Sequence, residues 1–164
     1  MTGVGKTTVG RFLSKKLKRQ FFDIDIEIEN ASGLKISNLF SEFGEKEFRR
    51  IEKKIKIKIL NDNRGTIIST GAGILSDSEI NNFILENSIC IFLDAKTTTL
   101  YDRLKNNLYN RPKLTKGKLE DNLEAMYKKR IKNYSRAHII VKVDGLSIHD
   151  VSSLVIKDLI KYEQ

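Results

Sequence analysis

The 164-residue chain has one cysteine, one proline, no tryptophan and no long apolar run. A single cysteine, Cys90, cannot form an internal disulfide, which predicts a reducing compartment. It lies within an apolar stretch, where we expect a small buried residue rather than a reactive thiol. No segment approaches the roughly 18 apolar residues of a transmembrane helix, and nothing resembles a signal peptide. We therefore expect a soluble, cytoplasmic protein with no membrane partner.

The chain also lacks any block of five or six like charges, although its net charge is +9. The 21 acidic residues are interspersed with 30 basic ones. The interpretation as a nucleic-acid-binding module would rest on this charge alone, because the sequence has no helix-turn-helix motif and no aromatic-and-glycine RNA motif. We expect no nucleic-acid partner. The composition, 31% charged and 40% hydrophobic, is typical of one globular domain covering residues 1–164.

What the chain does have is a phosphate-binding motif at its start, Gly3-Val4-Gly5-Lys6-Thr7 followed by Thr8. This is the second part of the pattern G-x-x-x-x-G-K-[ST]. Its glycines let backbone N–H groups surround a polyphosphate, its lysine reaches the β- and γ-phosphates, and the Thr7 hydroxyl holds Mg²⁺. A helix predicted from about residue 7 to 17 directs its positive dipole end at the same anion. The motif predicts a site for ATP and Mg²⁺.

A buried strand normally precedes such a loop, but this sequence contains no residues that could form it. The first glycine of the motif would fall just before Met1. In a parallel sheet covered on both faces, that strand is central and apolar. We therefore expect either that the chain is a fragment or that Met1 is an internal methionine of a longer protein.

Helix and strand patterns alternate along the rest of the chain, which predicts an α/β fold with a three-layer parallel sheet and helices on both faces. Predicted strands cover residues 20–25, 66–70, 88–93 and 139–143. Predicted helices cover residues 26–30, 36–43, 45–61, 78–85, 97–106, 119–134 and 147–161. The alternating Ile55–Ile59 segment fits a strand as well as a helix, and its context favours the helix. Residues 107–118 carry the only proline and are predicted to be a lid loop.

Acidic, basic and glycine residues give candidates for phosphoryl-transfer chemistry. Asp23 and Asp25 follow an apolar strand, where an open α/β sheet places ligands. One carboxylate can serve the Mg²⁺ shell and the other the acceptor hydroxyl, although acids at strand ends are also common as caps. The arginine candidates for an acidic acceptor are Arg49, Arg111 and Arg130, because a planar guanidinium binds a carboxylate bidentately. The segment Gly71-Ala72-Gly73 is either a plain turn or a close approach of backbone to a ligand.

These motifs, in this order, resemble the shikimate kinases, which are P-loop kinases related to nucleoside-monophosphate kinases. The specific stretches are Phe22-Asp23-Ile24-Asp25, Gly44-Glu45-Lys46-Glu47-Phe48-Arg49 and Ser69-Thr70-Gly71-Ala72-Gly73, together with Arg111-Pro112 and Lys129-Arg130. The resemblance spans the whole chain. It implies ATP-dependent phosphorylation of the shikimate 3-hydroxyl, in aromatic amino acid biosynthesis, by a monomer.

The resemblance also implies a role for each residue. Lys6 and Thr7 hold phosphate and Mg²⁺, Asp23 supports the metal through water, and Asp25 holds the acceptor hydroxyl and can take its proton. Arg49 and Arg130 clamp the shikimate carboxylate beside the backbone of residues 71–73. Arg111 reaches the phosphates from the lid, and Arg103 flanks the adenine.

One departure from the family pattern is Ala72, where the resemblance expects a glycine; at a positive φ its methyl group would cost about 1 kcal/mol. Two alternatives stay open from the sequence. One is a P-loop kinase for another small hydroxylated acceptor, such as gluconate or a nucleoside monophosphate. The other is a non-catalytic relative that binds a ligand or partner without turnover.

Overall fold

The computed structural model describes residues 1–62, 65–71, 78–106, 114 and 117–163. Helices and strands alternate along these residues. The helices are α1 (Lys6–Leu17), α2 (Ile24–Ser32), α3 (Ile36–Asp62), α4 (Ser78–Asn87), α5 (Thr97–Leu104), α6 (Leu119–Tyr134) and α7 (Ile148–Tyr162). The strands are β1 (Phe21–Asp23), β2 (Ile67–Ser69), β3 (Ile91–Asp94) and β4 (Ile139–Lys142).

All four strands pair in parallel, as the alternating pattern predicts. β1 pairs with β2, with Phe22 opposite Ile68, and β3 pairs with β4, with Phe92 opposite Ile140. The expected single sheet is therefore present as two parallel pairs. Among the described residues no strand hydrogen-bonds to both β2 and β3.

A cavity of about 990 Å³ lies between the two strand pairs. Ile68 of β2 and Phe92 of β3 both border it, as do Leu13 of α1, Leu159 of α7 and Met1. β2 and β3 both border this space, and no strand of the described residues fills it. The strand expected before Met1 stays a prediction.

Apolar side chains form two core clusters. The larger one contains Leu93, Leu100, Leu123, Val141 and Val155, which come from β3, α5, α6, β4 and α7. The smaller one joins α2 and α3 through Ile24, Ile28, Leu39, Phe48 and Ile59. Ile59 thus lies on the buried face of a helix, which confirms the helical interpretation of its segment. The fold belongs to the α/β class that the sequence predicts.

Two local expectations differ from the structure. Asp25 does not end a strand: the Asp23 carboxylate accepts a hydrogen bond from the Asp25 N–H at 3.1 Å and so caps a helix that starts at Ile24. β3 begins at Ile91 rather than at residue 88. The expected break between helices 36–43 and 45–61 is confirmed, because α3 is interrupted by the non-helical Gly44 at φ 76°.

The predicted lid lies mostly outside the described residues. Within it, Leu114 is buried in the larger core, 3% exposed. None of the helices in the described ranges is both long and apolar enough to cross a membrane.

Candidate active site

The phosphate-binding loop precedes α1 and has the backbone that its glycines permit. Gly3 and Gly5 both have positive φ, 74° and 98°. A Cβ atom on Gly3 would lie 2.8 Å from Leu104 Cγ, so no larger residue fits this bend without a shift. Lys6 Nζ donates a hydrogen bond to the Met1 carbonyl at 2.8 Å and therefore reaches back over the loop. Thr8 is exposed at the start of the helix.

Thr7 lies in the first turn of α1, and Asp23 lies at the end of β1, where the two side chains meet. The Thr7 hydroxyl donates a hydrogen bond of 2.6 Å to Asp23 Oδ2, and Asp23 is only 7% exposed. Oxygen donors of this kind fit Mg²⁺, which usually keeps several waters and takes only one or two ligands from the protein. Within the described ranges, no group of three or more His, Cys, Asp or Glu side chains forms a separate metal cluster. The pair fits a magnesium ion bound mainly by phosphate and water.

Asp25 is the second carboxylate of the site. Burial raises its pKa above the usual range, the charge of Asp23 adds to this increase, and the Lys6 cation opposes it. A Cβ atom on Gly71 would lie 2.5 Å from Asp25 Oδ1, so the backbone after β2 packs directly against this carboxylate. A side chain at residue 71 would displace Asp25, which explains the glycine there.

Arg49 extends from α3 and bonds to Glu52, whose charge acts on Asp25. Its Nη1 donates to Glu52 Oε2 at 2.6 Å and its Nη2 donates to Glu45 Oε1 at 3.2 Å. Its Nε atom is buried and has no hydrogen-bond partner among the described residues. A buried donor without a partner is costly, so a ligand group that bonded to Nε would relieve this cost.

Arg130 extends from α6 and has the same feature. Its Nη1 atom is buried without a partner in the described part of the chain. Burial, together with the charges of Lys6 and Arg130, lowers the pKa of the Met1 amine to about 4. Arg130 is therefore close enough to the phosphate-binding loop to influence it electrostatically.

Arg103 of α5 contacts the loop from the other side, donating from Nη1 to the Val4 carbonyl at 3.1 Å. The structure thus brings Arg103 to the nucleotide end. Three of the predicted site residues, Ala72, Gly73 and Arg111, lie outside the described residues.

Two buried residues beside Asp25 have no role in the sequence-based prediction. Glu52 and Lys56 are 2% and 4% exposed, and Lys56 Nζ lies 2.8 Å from Glu52 Oε1. Their spacing along α3 places them on one helix face together with Arg49, but only burial distinguishes them from the many surface charges of that helix.

A phosphate-binding loop, a hydroxyl–carboxylate pair suited to Mg²⁺ and a second, half-buried carboxylate at the start of the next helix define a P-loop phosphotransferase of α/β fold. The chain belongs to the shikimate kinase family, because the model of that family matches residues 2–160.

Individual relatives agree with this assignment. The chain is 34% identical to a shikimate kinase of Thermodesulfovibrio yellowstonii, over 95% of this chain and 89% of that protein. It is 38% identical to a shikimate kinase of Persephonella marina, over 91% and 88% of the two chains. Among solved structures, a shikimate kinase from Acinetobacter baumannii in complex with shikimate superimposes with a TM-score of 0.91 at 28% identity. That superposition covers 97% of this chain and 88% of the other.

Proposed function

We propose that this protein transfers the γ-phosphoryl group of ATP to the 3-hydroxyl of shikimate. The observation that carries the proposal is a pair of buried arginine donors, Arg49 Nε and Arg130 Nη1, without partners among the described residues. Shikimate carries a carboxylate, which accepts charge-assisted hydrogen bonds from guanidinium groups. The A. baumannii relative, whose structure contains shikimate, has the same fold.

On the nucleotide side, Gly3, Val4 and Gly5 supply backbone N–H groups to the phosphates and Lys6 supplies a positive charge. The Thr7 hydroxyl binds Mg²⁺ directly, and Asp23 binds it through water. When bound, Mg²⁺ neutralises the charge that develops on the phosphates. Thr8, at the exposed start of α1, adds a further donor to the phosphates.

On the acceptor side, Asp25 orients the shikimate hydroxyl and accepts its proton. Its raised pKa follows from burial, and a base is most effective when its pKa lies near the working pH. Gly71 lets this carboxylate approach the backbone. Ala72 and Gly73 keep the role expected from the sequence, that of binding the acceptor beside Gly71.

Two further arginines complete the proposal. Arg103, already bonded to the loop at Val4, flanks the adenine. Arg111 reaches from the lid, proposed to cover residues 107–118, to the transferred phosphoryl group and stabilises its charge. We keep two predictions from the sequence, that the protein is a monomer and that it acts in the cytoplasm.

The test is acceptor-dependent release of ADP in the presence of ATP and Mg²⁺. We expect rapid release with shikimate and much slower release with gluconate or AMP at equal concentrations. Equal rates with gluconate would overturn the assignment of shikimate as the acceptor, but the protein would still be assigned as a kinase. No release with any of the three would favour a non-catalytic relative.

A further inference from the structure

Four charged residues, Glu45, Arg49, Glu52 and Lys56, form a row of ion pairs along one face of α3. Arg49 lies 3.2 Å from Glu45 Oε1 and 2.6 Å from Glu52 Oε2, and Lys56 Nζ lies 2.8 Å from Glu52 Oε1. Side chains three or four residues apart are neighbours on a helix surface, which accounts for the row. It carries two positive and two negative charges. The ion-pair row is therefore neutral only because Lys56 is present.

The two ends of the ion-pair row differ in exposure. The Glu45 side chain is 54% exposed, so water screens its charge, whereas the side chains of Glu52 and Lys56 are 3% and 5% exposed. Burying two charges is costly, and apolar residues in place of a buried ion pair often stabilise a protein equally well. Stability alone is therefore a weak reason for a lysine at residue 56.

The charge of Lys56 acts on the acceptor side of the site. Lys56 and Arg49 bond to the two oxygens of one carboxylate, so the two cations lie within roughly 8 Å of each other, where a buried charge is little screened. Burial lowers the pKa of Lys56 and Glu52 raises it, while the charge of Arg49 lowers this pKa and the charge of Asp25 raises it. Lys56 is therefore coupled electrostatically to both Arg49 and Asp25.

We propose that Lys56 is a specificity-determining residue for an anionic acceptor: its charge balances the buried Glu52, so that the carboxylate of the substrate meets a neutral ion-pair row beside Arg49. The proposal rests on the proposed function, in which Arg49 binds that carboxylate. Without Lys56, the row has one excess negative charge, and like charges brought together where water is excluded weaken binding. Lys56 acts through its charge and does not need to touch the substrate.

The first test measures the Kd of shikimate and of its uncharged methyl ester by equilibrium dialysis without ATP. Lys56→Met should weaken shikimate binding about 10-fold or more, as expected for the loss of one charge at roughly 8 Å in a protein interior. It should change the Kd of the ester less than about 2-fold, because the ester has no charge to repel. Equal weakening of both ligands would overturn the proposal.

Two further variants serve as controls for this comparison. Lys56→Arg keeps the charge, and its larger head can extend into the cavity that Lys56 borders, so it should bind both ligands like wild type. Lys54→Met removes an exposed lysine of the same helix and should have no effect. A loss of shikimate affinity in Lys56→Arg as large as in Lys56→Met would contradict a role of the charge. If Lys56→Met does not fold, Lys56→Gln takes its place.

A double variant separates the charge of Lys56 from its contact with Glu52. Glu52→Gln combined with Lys56→Met removes the buried ion pair but leaves no excess charge, because Glu45 and Arg49 still balance each other. Its ratio of the ester Kd to the shikimate Kd should return to within about 3-fold of the wild-type ratio, a non-additive rescue. If Lys56 acted only by holding Glu52 in place, the double variant would select as poorly as Lys56→Met, and the proposal would be wrong.

Failure of this proposal and failure of the proposed function give different results. If wild-type protein binds shikimate but releases no ADP from ATP, the proposed function fails and the Kd comparison still tests Lys56. If the protein phosphorylates shikimate but Lys56→Met keeps the wild-type ratio of the two Kd values, the function stands and Lys56 has no role in selecting the anion. Wild-type protein that binds no shikimate, or binds the ester equally well, would also overturn the role of Lys56.

Discussion

Arg49 and Arg130 each carry a buried nitrogen atom that has no hydrogen-bond partner among the described residues. Each such donor costs roughly 1–3 kcal/mol of folding free energy if nothing binds it. The two arginines come from different helices. Arg49 of α3 bonds to Glu52, whose charge acts on Asp25, and Arg130 of α6 acts electrostatically on Met1 beside the loop. In the proposed function, an anionic acceptor satisfies both donors.

Asp25 is expected to act on the chemical step. Asp25→Asn keeps the shape of the side chain but removes the group that accepts the proton of the acceptor hydroxyl. It should lower kcat by about 100-fold or more, as for a lost general base. Steady-state kinetics with shikimate and ATP check this, with Glu27→Gln, a substitution of a partly exposed residue of the same helix, as the control. A kcat within a few-fold of wild type would exclude Asp25 as the base.

Arg130 is expected to act on acceptor binding. Arg130→Ala should raise the KM for shikimate roughly 10- to 150-fold, since a hydrogen bond between charged groups is lost from ground and transition states alike. The KM for ATP should scarcely change, and the exposed neighbour variant Lys129→Ala should match wild type. If Arg130→Ala instead raised the KM for ATP and did not change the KM for shikimate, Arg130 would belong to the nucleotide side.

At the scale of elements, the periodic patterns predicted most helices correctly because these helices bury one regular face. Asp25 was misplaced for a local reason: the Asp23 side chain caps the next helix, and a strand-like pattern cannot reveal that hydrogen bond. The Glu52–Lys56 pair was missed because α3 carries many charges, and only the tertiary packing decides which of them are buried.

The packing of α1 on β1 depends on Gly10. A Cβ atom at this position would lie 2.5 Å from Phe21 Cε2. Gly10→Ala should therefore lower the free energy of unfolding by about 1 kcal/mol or more, although alanine is the better helix former. Thermal unfolding measures this effect. In a Phe21→Leu background, which removes the ring, the same substitution should be neutral or stabilising; an equal loss in both backgrounds would show that Phe21 is not the cause.

At the scale of the molecule, the cavity between β2 and β3 divides the parallel sheet into two pairs. Its lining includes apolar side chains from β2, β3, α1 and α7, together with charged side chains such as Lys56 and Arg136, and Met1 lies on its border. A central parallel strand, which is apolar on both faces, would contact the apolar part of this lining. The loop motif in the sequence was enough to predict this strand. The size and the lining of the cavity can be known only from the folded structure.

A strand placed in this cavity should stabilise the protein. We expect that extending the chain before Met1 with Ile-Val-Leu-Ile-Gly raises the unfolding temperature by at least roughly 5 °C, since several apolar residues become buried. An extension of equal length, Ser-Asn-Ser-Asn-Gly, is the control and should have little effect. Equal unfolding temperatures for the two extended proteins would contradict the assignment of the cavity to a strand.

The central claim is that a pair of arginines binds the carboxylate of shikimate for phosphorylation. Its most direct test is the ratio of kcat/KM for shikimate to that for shikimate methyl ester, which lacks the negative charge. Because the ester would lose two charge-assisted hydrogen bonds, the wild-type protein should show a ratio of about 100 or more. The Arg49→Ala, Arg130→Ala double variant should show a ratio near one. A wild-type ratio near one would show that the carboxylate is not recognised and would contradict the account.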